Sequence, residues 1–171
     1  MKLFLDTADV ATVSQFWSTG LIDGLTTNPT LMMKAGQLPD KVYHDLKNLG
    51  IKDISMEVVA DTSEGMLSEA RRLISLFGEV VTIKVPCTPE GLLACKELAN
   101  QNIRVNVTLI FSAAQAILAA KAGARYVSPF VGRVDDNSFG GLCLIKDISN
   151  TFAKQNWKKT EILAASIRNV R

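Results

Sequence analysis

At 171 residues the chain is long enough to bury one sizeable core and too short for two ordinary domains, so residues 1–171 are expected to form a single domain. Hydrophobic residues at 47%, charged residues at 21% and a formal net charge of +2 fit a globular protein and give no reason to expect a nucleic-acid or membrane partner. Cys87, Cys95 and Cys143 are odd in number and lack a Cys-x-x-Cys pairing, and the one histidine, His44, stands among Tyr43, Asp45 and Lys47 on what reads as a solvated helix. Together they argue against a disulfide framework, a metal site and histidine-based catalysis, and imply no cofactor. No signal peptide is expected, since Asp6 and Asp9 follow only a short apolar run. Nor does any stretch approach the roughly 18 apolar residues of a membrane span, so a reducing cytoplasm is the expected compartment.

Residues 1–5 read as a short apolar strand ending at Asp6. Thr7-Ala8-Asp9 then caps a helix with Val10, Val13, Phe16 and Trp17 at helical spacing, and Gly20 closes it. Residues 21–25 resume as a strand, and Thr26-Thr27-Asn28-Pro29 is a turn with Pro29 opening another helical region. A helix carrying Val42, Leu46 and Leu49 ends at Gly50. It is followed by a strand over 54–59, the cap Asp61-Thr62-Ser63-Glu64, and a helix through Met66, Leu67, Ala70, Leu73 and Phe77. Val80-Val81-Thr82-Ile83-Lys84-Val85-Pro86 is a β-branched, fully buried strand with one lysine near its end, stopped by Pro86. Thr88 and Pro89 start the next helix. A strand over 103–109, an alanine-rich helix over 112–122, a strand over 125–131, a polar loop at 135–138, a helix over 142–152 and a last strand over 161–166 complete the pattern.

Alternating short apolar strands and amphipathic helices demand a parallel sheet, either a (β/α)8 barrel or a doubly wound sheet. No Gly-x-Gly-x-x-Gly or Gly-x4-Gly-Lys-Ser/Thr loop supports nucleotide binding by an open sheet. Polar residues gather instead at the carboxyl ends of the strands: Asp6, Thr26 and Asn28, Glu57, Lys84, Asn106 and Thr108, Ser128, Arg133, Ser166 and Arg168. A barrel brings all such ends to one mouth, so the α/β fold expected is a (β/α)8 TIM-type barrel. Period two places Thr82 with Lys84, Asn106 with Thr108, and Ser166 with Arg168 on common faces. A lysine on an apolar strand loses hydration, which lowers its pKa and yields neutral amine able to attack a carbonyl; the bland alternative is a strand-end lysine whose head reaches water. The polar strand ends favour imine chemistry.

Gly24-Leu25-Thr26-Thr27-Asn28-Pro29-Thr30 resembles the signature of the transaldolase family, and Val81-Thr82-Ile83-Lys84-Val85-Pro86 resembles its Schiff-base lysine strand. The similarity runs from Phe4-Leu5-Asp6-Thr7 to Ala165-Ser166-Ile167-Arg168-Asn169, and the length is similar to the short, single-domain members, the subgroup that includes the fructose-6-phosphate aldolases. The resemblance implies that Lys84 forms an imine with the C2 carbonyl of a ketose phosphate, fructose 6-phosphate or sedoheptulose 7-phosphate, in the pentose phosphate pathway. Asp6 would then exchange a proton with the C4 hydroxyl, and Glu57 would act with Thr108 on the proton transfers of imine formation and hydrolysis. Asn28 and Asn106 would hold the three-carbon dihydroxyacetone unit, with Thr26 and Phe130 also among the substrate-binding residues. Arg133 and Arg168, helped by Ser128 and Ser166, would bind the phosphate. Fructose-6-phosphate aldolases tend to carry glutamine at the position of Glu57 and tyrosine at that of Phe130, so transfer is expected over release, with aldolase activity as the alternative. A homo-oligomer, pentamer or decamer, is implied as well. The chain ends after its seventh expected strand, without the eighth strand and C-terminal helices of the family. This leaves a second alternative, a truncated non-catalytic barrel that binds sugar phosphate or assembles with a partner.

Overall fold

A computed structural model describes residues 1–138 and 140–168. The elements follow the expected alternation: β1 (Phe4–Asp6), α1 (Val10–Trp17), β2 (Gly24–Thr26), α2 (Pro29–Lys34), α3 (Pro39–Asn48), β3 (Ile54–Glu57), α4 (Ser63–Phe77), a 3-10 turn (Gly78–Val80), β4 (Val81–Pro86), α5 (Pro89–Asn100), β5 (Val105–Ile110), α6 (Ala113–Lys121), β6 (Tyr126–Pro129), α7 (Val131–Asp136), α8 (Gly141–Lys154) and β7 (Glu161–Ile162). Helix starts sit where short polar side chains can take orphan amides. Asp9 accepts from Ala11 N–H at 3.0 Å, Asn28 from Leu31 at 3.0 Å, Thr88 from Gly91 at 3.1 Å and Ser112 from Gln115 at 3.2 Å. Among the described residues, no helix is long and apolar enough to cross a membrane.

Strand order in the sheet equals chain order, β1-β2-β3-β4-β5-β6-β7. The pairs β1/β2, β2/β3, β5/β6 and β6/β7 are all parallel. A doubly wound sheet must reverse its order at a switch point; this one does not, and the topology is that of the expected (β/α) barrel class through seven strands.

The chain forms two compact units, one holding Met1–Ala60 and Ser68–Ile83, the other Asp61–Leu67 and the residues from Lys84 onward. The first is built around Val13, Leu25, Val42, Leu46, Ile54, Met56, Phe77 and Ile83, all buried. The second buries Val85, Leu98, Val107, Ile110, Ala116, Ala119, Val127 and Ile148. In each unit these come from alternate strand positions and from one stripe of each helix, the pattern that removes apolar area from water at about 25 cal/mol per Å2.

Three local features depart from the periodic reading. Residues 131–136 continue no strand but form α7, so Arg133 lies on a helix and Phe130 just before it. β5 and β6 change register between Val107 and Ile110, where Leu109 is left-handed at φ 59°, a bulge immediately after Thr108. β7 is two residues long, and beyond it Ala165 makes an isolated bridge to Phe130 while Ser166 is left-handed at φ 58°; Ser166 and Arg168 therefore do not share a strand face. Asn169 lies outside the described residues.

The segment after β7 is instead docked on the start of α7, where Val131 N–H donates to Ala165 C=O at 3.0 Å and Gly132 N–H to Ser166 C=O at 3.1 Å. A Cβ on Gly132 would lie 2.1 Å from the Ser166 oxygen. Gly132→Ala must push this backbone apart and is expected to cost about 1–3 kcal/mol, read from chemical denaturation. A wild-type midpoint would show that the docking is not tight.

Candidate active site

In the first unit the site residues lie on three adjacent strand ends. The β1/β2 register aligns Asp6 with Thr26, and the Thr26 hydroxyl donates to Asp6 Oδ1 at 2.9 Å. Asp6 is exposed, so its carboxylate is open to solvent while one oxygen is held. Thr27 points the other way, fully buried, and its Oγ1 donates to the Ser55 carbonyl at 2.8 Å and lies 3.1 Å from the Tyr43 hydroxyl. Asn28 turns outward again, where its Oδ1 caps α2 and its Nδ2 remains the donor it can offer a hydroxyl. Glu57, half-buried at the end of β3, lines a cavity of about 500 Å3 with Met32, Met33, Tyr43, Val59 and Leu73.

In the second unit Lys84 is 6% exposed, between Ile83 and Val85, both at 0%. In this unit β5, next to β4, buries the polar residues Asn106 and Thr108, and β6 beyond it buries Ser128. Ser128 donates its hydroxyl to Asn106 Oδ1 at 2.8 Å. Cys87 N–H donates to Thr108 C=O at 2.9 Å, tying the end of β4 to β5 at the bulge. Thr108 Oγ1 is buried with no hydrogen-bond partner among the described residues. Such an orphaned hydroxyl suits a bound water or ligand.

The cations are arranged differently from the strand-end expectation. Arg133 extends from α7 with its guanidinium 5.0 Å from the Phe130 ring centroid, and that ring leans on Phe111 with centroids 5.7 Å apart. A guanidinium over an aromatic face at this distance is attracted to the ring, and its donors form a planar fork. Arg168 passes over Gly132 and pairs with Asp136 of α7. The two arginines thus belong to α7 and to the segment docked on it, not to strand faces.

Burial pushes the Cys95 thiol up to about 12, with a smaller contribution from neighbouring Cys87, whose own thiol is raised by burial. Both are poor nucleophiles near neutrality. His44 is exposed with its ring edge-on to Phe77, and among the described residues no group of three or more His, Cys, Asp or Glu is placed to hold a metal.

A model of the transaldolase/fructose-6-phosphate aldolase family matches residues 3–171. The chain belongs to that family. A protein from Nitrosopumilus maritimus named as a probable transaldolase is 48% identical over 169 residues, covering 99% of this chain and 76% of the relative. Probable transaldolases from a Caulobacter strain and from Caldicellulosiruptor saccharolyticus are 49% and 50% identical, each over 99% of this chain and 77% of their own length. Within this family member, the signature around Thr26 is the β2–α2 junction and the lysine strand is β4.

Sequence reasoning did not single out Tyr43 or Asp136. Tyr43 sits on the apolar stripe of α3 with Val42 and Leu46, and a buried tyrosine on such a stripe calls for a partner for its hydroxyl. Burial is the main cause that pushes this phenol up to about 12, helped by the nearby charges of Glu57 and Asp40 and opposed by the hydrogen bond with Thr27. Between pH 10 and 12 the unfolded chain therefore releases the Tyr43 proton while the folded chain keeps it. Stability is full below pH 10 and falls through pH 12. Against Tyr43→Phe, the wild-type protein is expected to lose about 2–3 kcal/mol more over that window in denaturant titrations. Parallel losses would show that the phenol is not held protonated.

Proposed function

We propose that this family member is a transaldolase, moving a dihydroxyacetone unit from a ketose phosphate such as fructose 6-phosphate or sedoheptulose 7-phosphate to an aldose phosphate through a Schiff base on Lys84. The observation that carries the proposal is Lys84 itself, a lysine buried on a mostly apolar strand, with β5 beside it burying Asn106 and Thr108 and β6 next in the sheet burying Ser128. Lys84 Nζ adds to the C2 carbonyl, and loss of water gives an iminium. Asp6 takes the proton of the C4 hydroxyl as the C3–C4 bond breaks, and the bonding pair moves onto C3 and into the iminium, leaving an enamine. The aldose departs. C3 of the enamine then attacks the aldehyde carbon of the acceptor, Asp6 returns its proton to the new hydroxyl, and water hydrolyses the imine with Glu57 and Thr108 handling the protons.

The Thr26 donation to Asp6 supports that role, since it fixes the rotamer of a base that would otherwise move freely in solvent. Asn28 and Asn106 offer amide donors to the hydroxyls of the retained unit. Arg133 on α7 supplies the phosphate site with Ser166 and with Arg168, which it shares with Asp136, and Ser128 helps through Asn106, to which its one hydroxyl proton is donated. Glu57 and Phe130, in place of the glutamine and tyrosine of the aldolase pattern, favour transfer over release. The same reading puts the protein in the cytoplasmic pentose phosphate pathway as a homo-oligomer.

The test measures transfer from fructose 6-phosphate to erythrose 4-phosphate alongside release of free dihydroxyacetone. Transfer is expected to dominate, and Lys84→Ala to lose about 10^3-fold or more in kcat. Arg133→Ala is expected to raise KM for the phosphorylated ketose about tenfold or more, as loss of a charge-assisted bond to phosphate should. Full transfer by Lys84→Ala, or release without transfer by the wild type, would contradict the proposal.

A further inference from the structure

Thr26, Thr27 and Asn28 are consecutive and divide their work. Thr26 reaches Asp6, Asn28 caps α2, and Thr27 between them is anchored inward. We infer that Tyr43 is a positioning residue for the base Asp6, its phenol holding Thr27 so that the segment 26–28 presents the Thr26 hydroxyl to the Asp6 carboxylate. The inference rests on the reading of Asp6 as the base.

Counting protons sets the direction of the contact. Thr27 Oγ1 has one hydrogen, and the Ser55 carbonyl at 2.8 Å can only accept it, so the bond to Tyr43 at 3.1 Å is donated by the phenol. Tyr43 can serve as a fixed post because its ring is 5% exposed and packs edge-on to Phe77 with centroids 5.5 Å apart. Thr27 N–H also donates to Ser55 C=O, at 3.1 Å, so the residue is pinned to β3 by backbone and side chain and to α3 by the phenol. A slip of Thr27 carries Thr26 and Asn28 with it, because no residue intervenes.

Tyr43→Phe keeps the ring and removes the donor; Thr27→Val removes the receiving hydroxyl at constant shape, and Thr27→Ser restores it. Amide hydrogen exchange reads the anchoring without any need for activity, through Thr27 N–H and through Leu31 N–H, which reports the Asn28 cap. Tyr43→Phe should speed exchange at these amides about fivefold and Thr27→Val, which also removes the bond to Ser55, by more, with Val42 and Leu46 in α3 unchanged and Thr27→Ser near wild type. In the transfer assay Tyr43→Phe and Thr27→Val should both lower kcat, and should lower it by a smaller factor on a Thr26→Val background than in the wild type, since the part of the effect that runs through Thr26 is then already lost. Unchanged exchange overturns the inference, as does faster exchange with unaltered kcat in an active enzyme. A wild type without transfer removes the base role from Asp6 and the proposed function with it, while the exchange data still decide whether Tyr43 holds the segment.

Discussion

A lysine side chain taken out of water calls for polar groups to accommodate its head, and Lys84 on β4, 6% exposed, is such a side chain. Lys84 stands on a strand with Val81, Thr82, Ile83 and Val85, all buried, and a half-buried Pro86 at its end. A sheet built only for stability would follow that strand with more valine and isoleucine. Instead β5 and β6 bury Asn106, Thr108 and Ser128, join two of them by a hydrogen bond, and leave the Thr108 hydroxyl without one among the described residues. A network of this kind gains less than apolar packing would, and under the proposed function it would serve to hold hydroxyls and water near Lys84.

The first half of the chain solves a different problem, that of holding an exposed carboxylate still. Asp6 lies at a strand end in water, where a side chain ordinarily samples several rotamers. The parallel register with β2 brings Thr26 alongside, and the next residue is locked into the interior by Ser55 and Tyr43. The proline that opens α2 and the asparagine that caps it then fix the exit of the chain. Local turn chemistry and strand register thus act on three consecutive residues, Thr26, Thr27 and Asn28.

Most of the architecture was legible from sequence because strand and helix periods alternate without interruption and caps such as Asp9, Thr88 and Ser112 mark the boundaries. The barrel class followed from polar strand ends, and sequential strand order agrees with it. What escaped was short or aperiodic. Val131-Gly132-Arg133-Val134 alternates like a strand, and a six-residue helix is shorter than the window in which a helical period can show itself. The left-handed turns at Leu109 and Ser166 fall on residues that rarely adopt that conformation, so composition gave no sign of the bulge or of the break after β7. In the site, Asp6 with Thr26 and Asn106 with Ser128 are joined by hydrogen bonds between residues named from sequence. Tyr43 and Asp136 act through hydrogen bonds to residues far away in the chain, and such partners have no local signature.

The most direct test of a Lys84 imine is to reduce the protein with borohydride in the presence of fructose 6-phosphate and read the product by intact mass and peptide mapping. A three-carbon adduct on the peptide containing Lys84, absent from Lys84→Ala, is the result expected. Folded protein that acquires no adduct, or carries it on another lysine, would contradict the account.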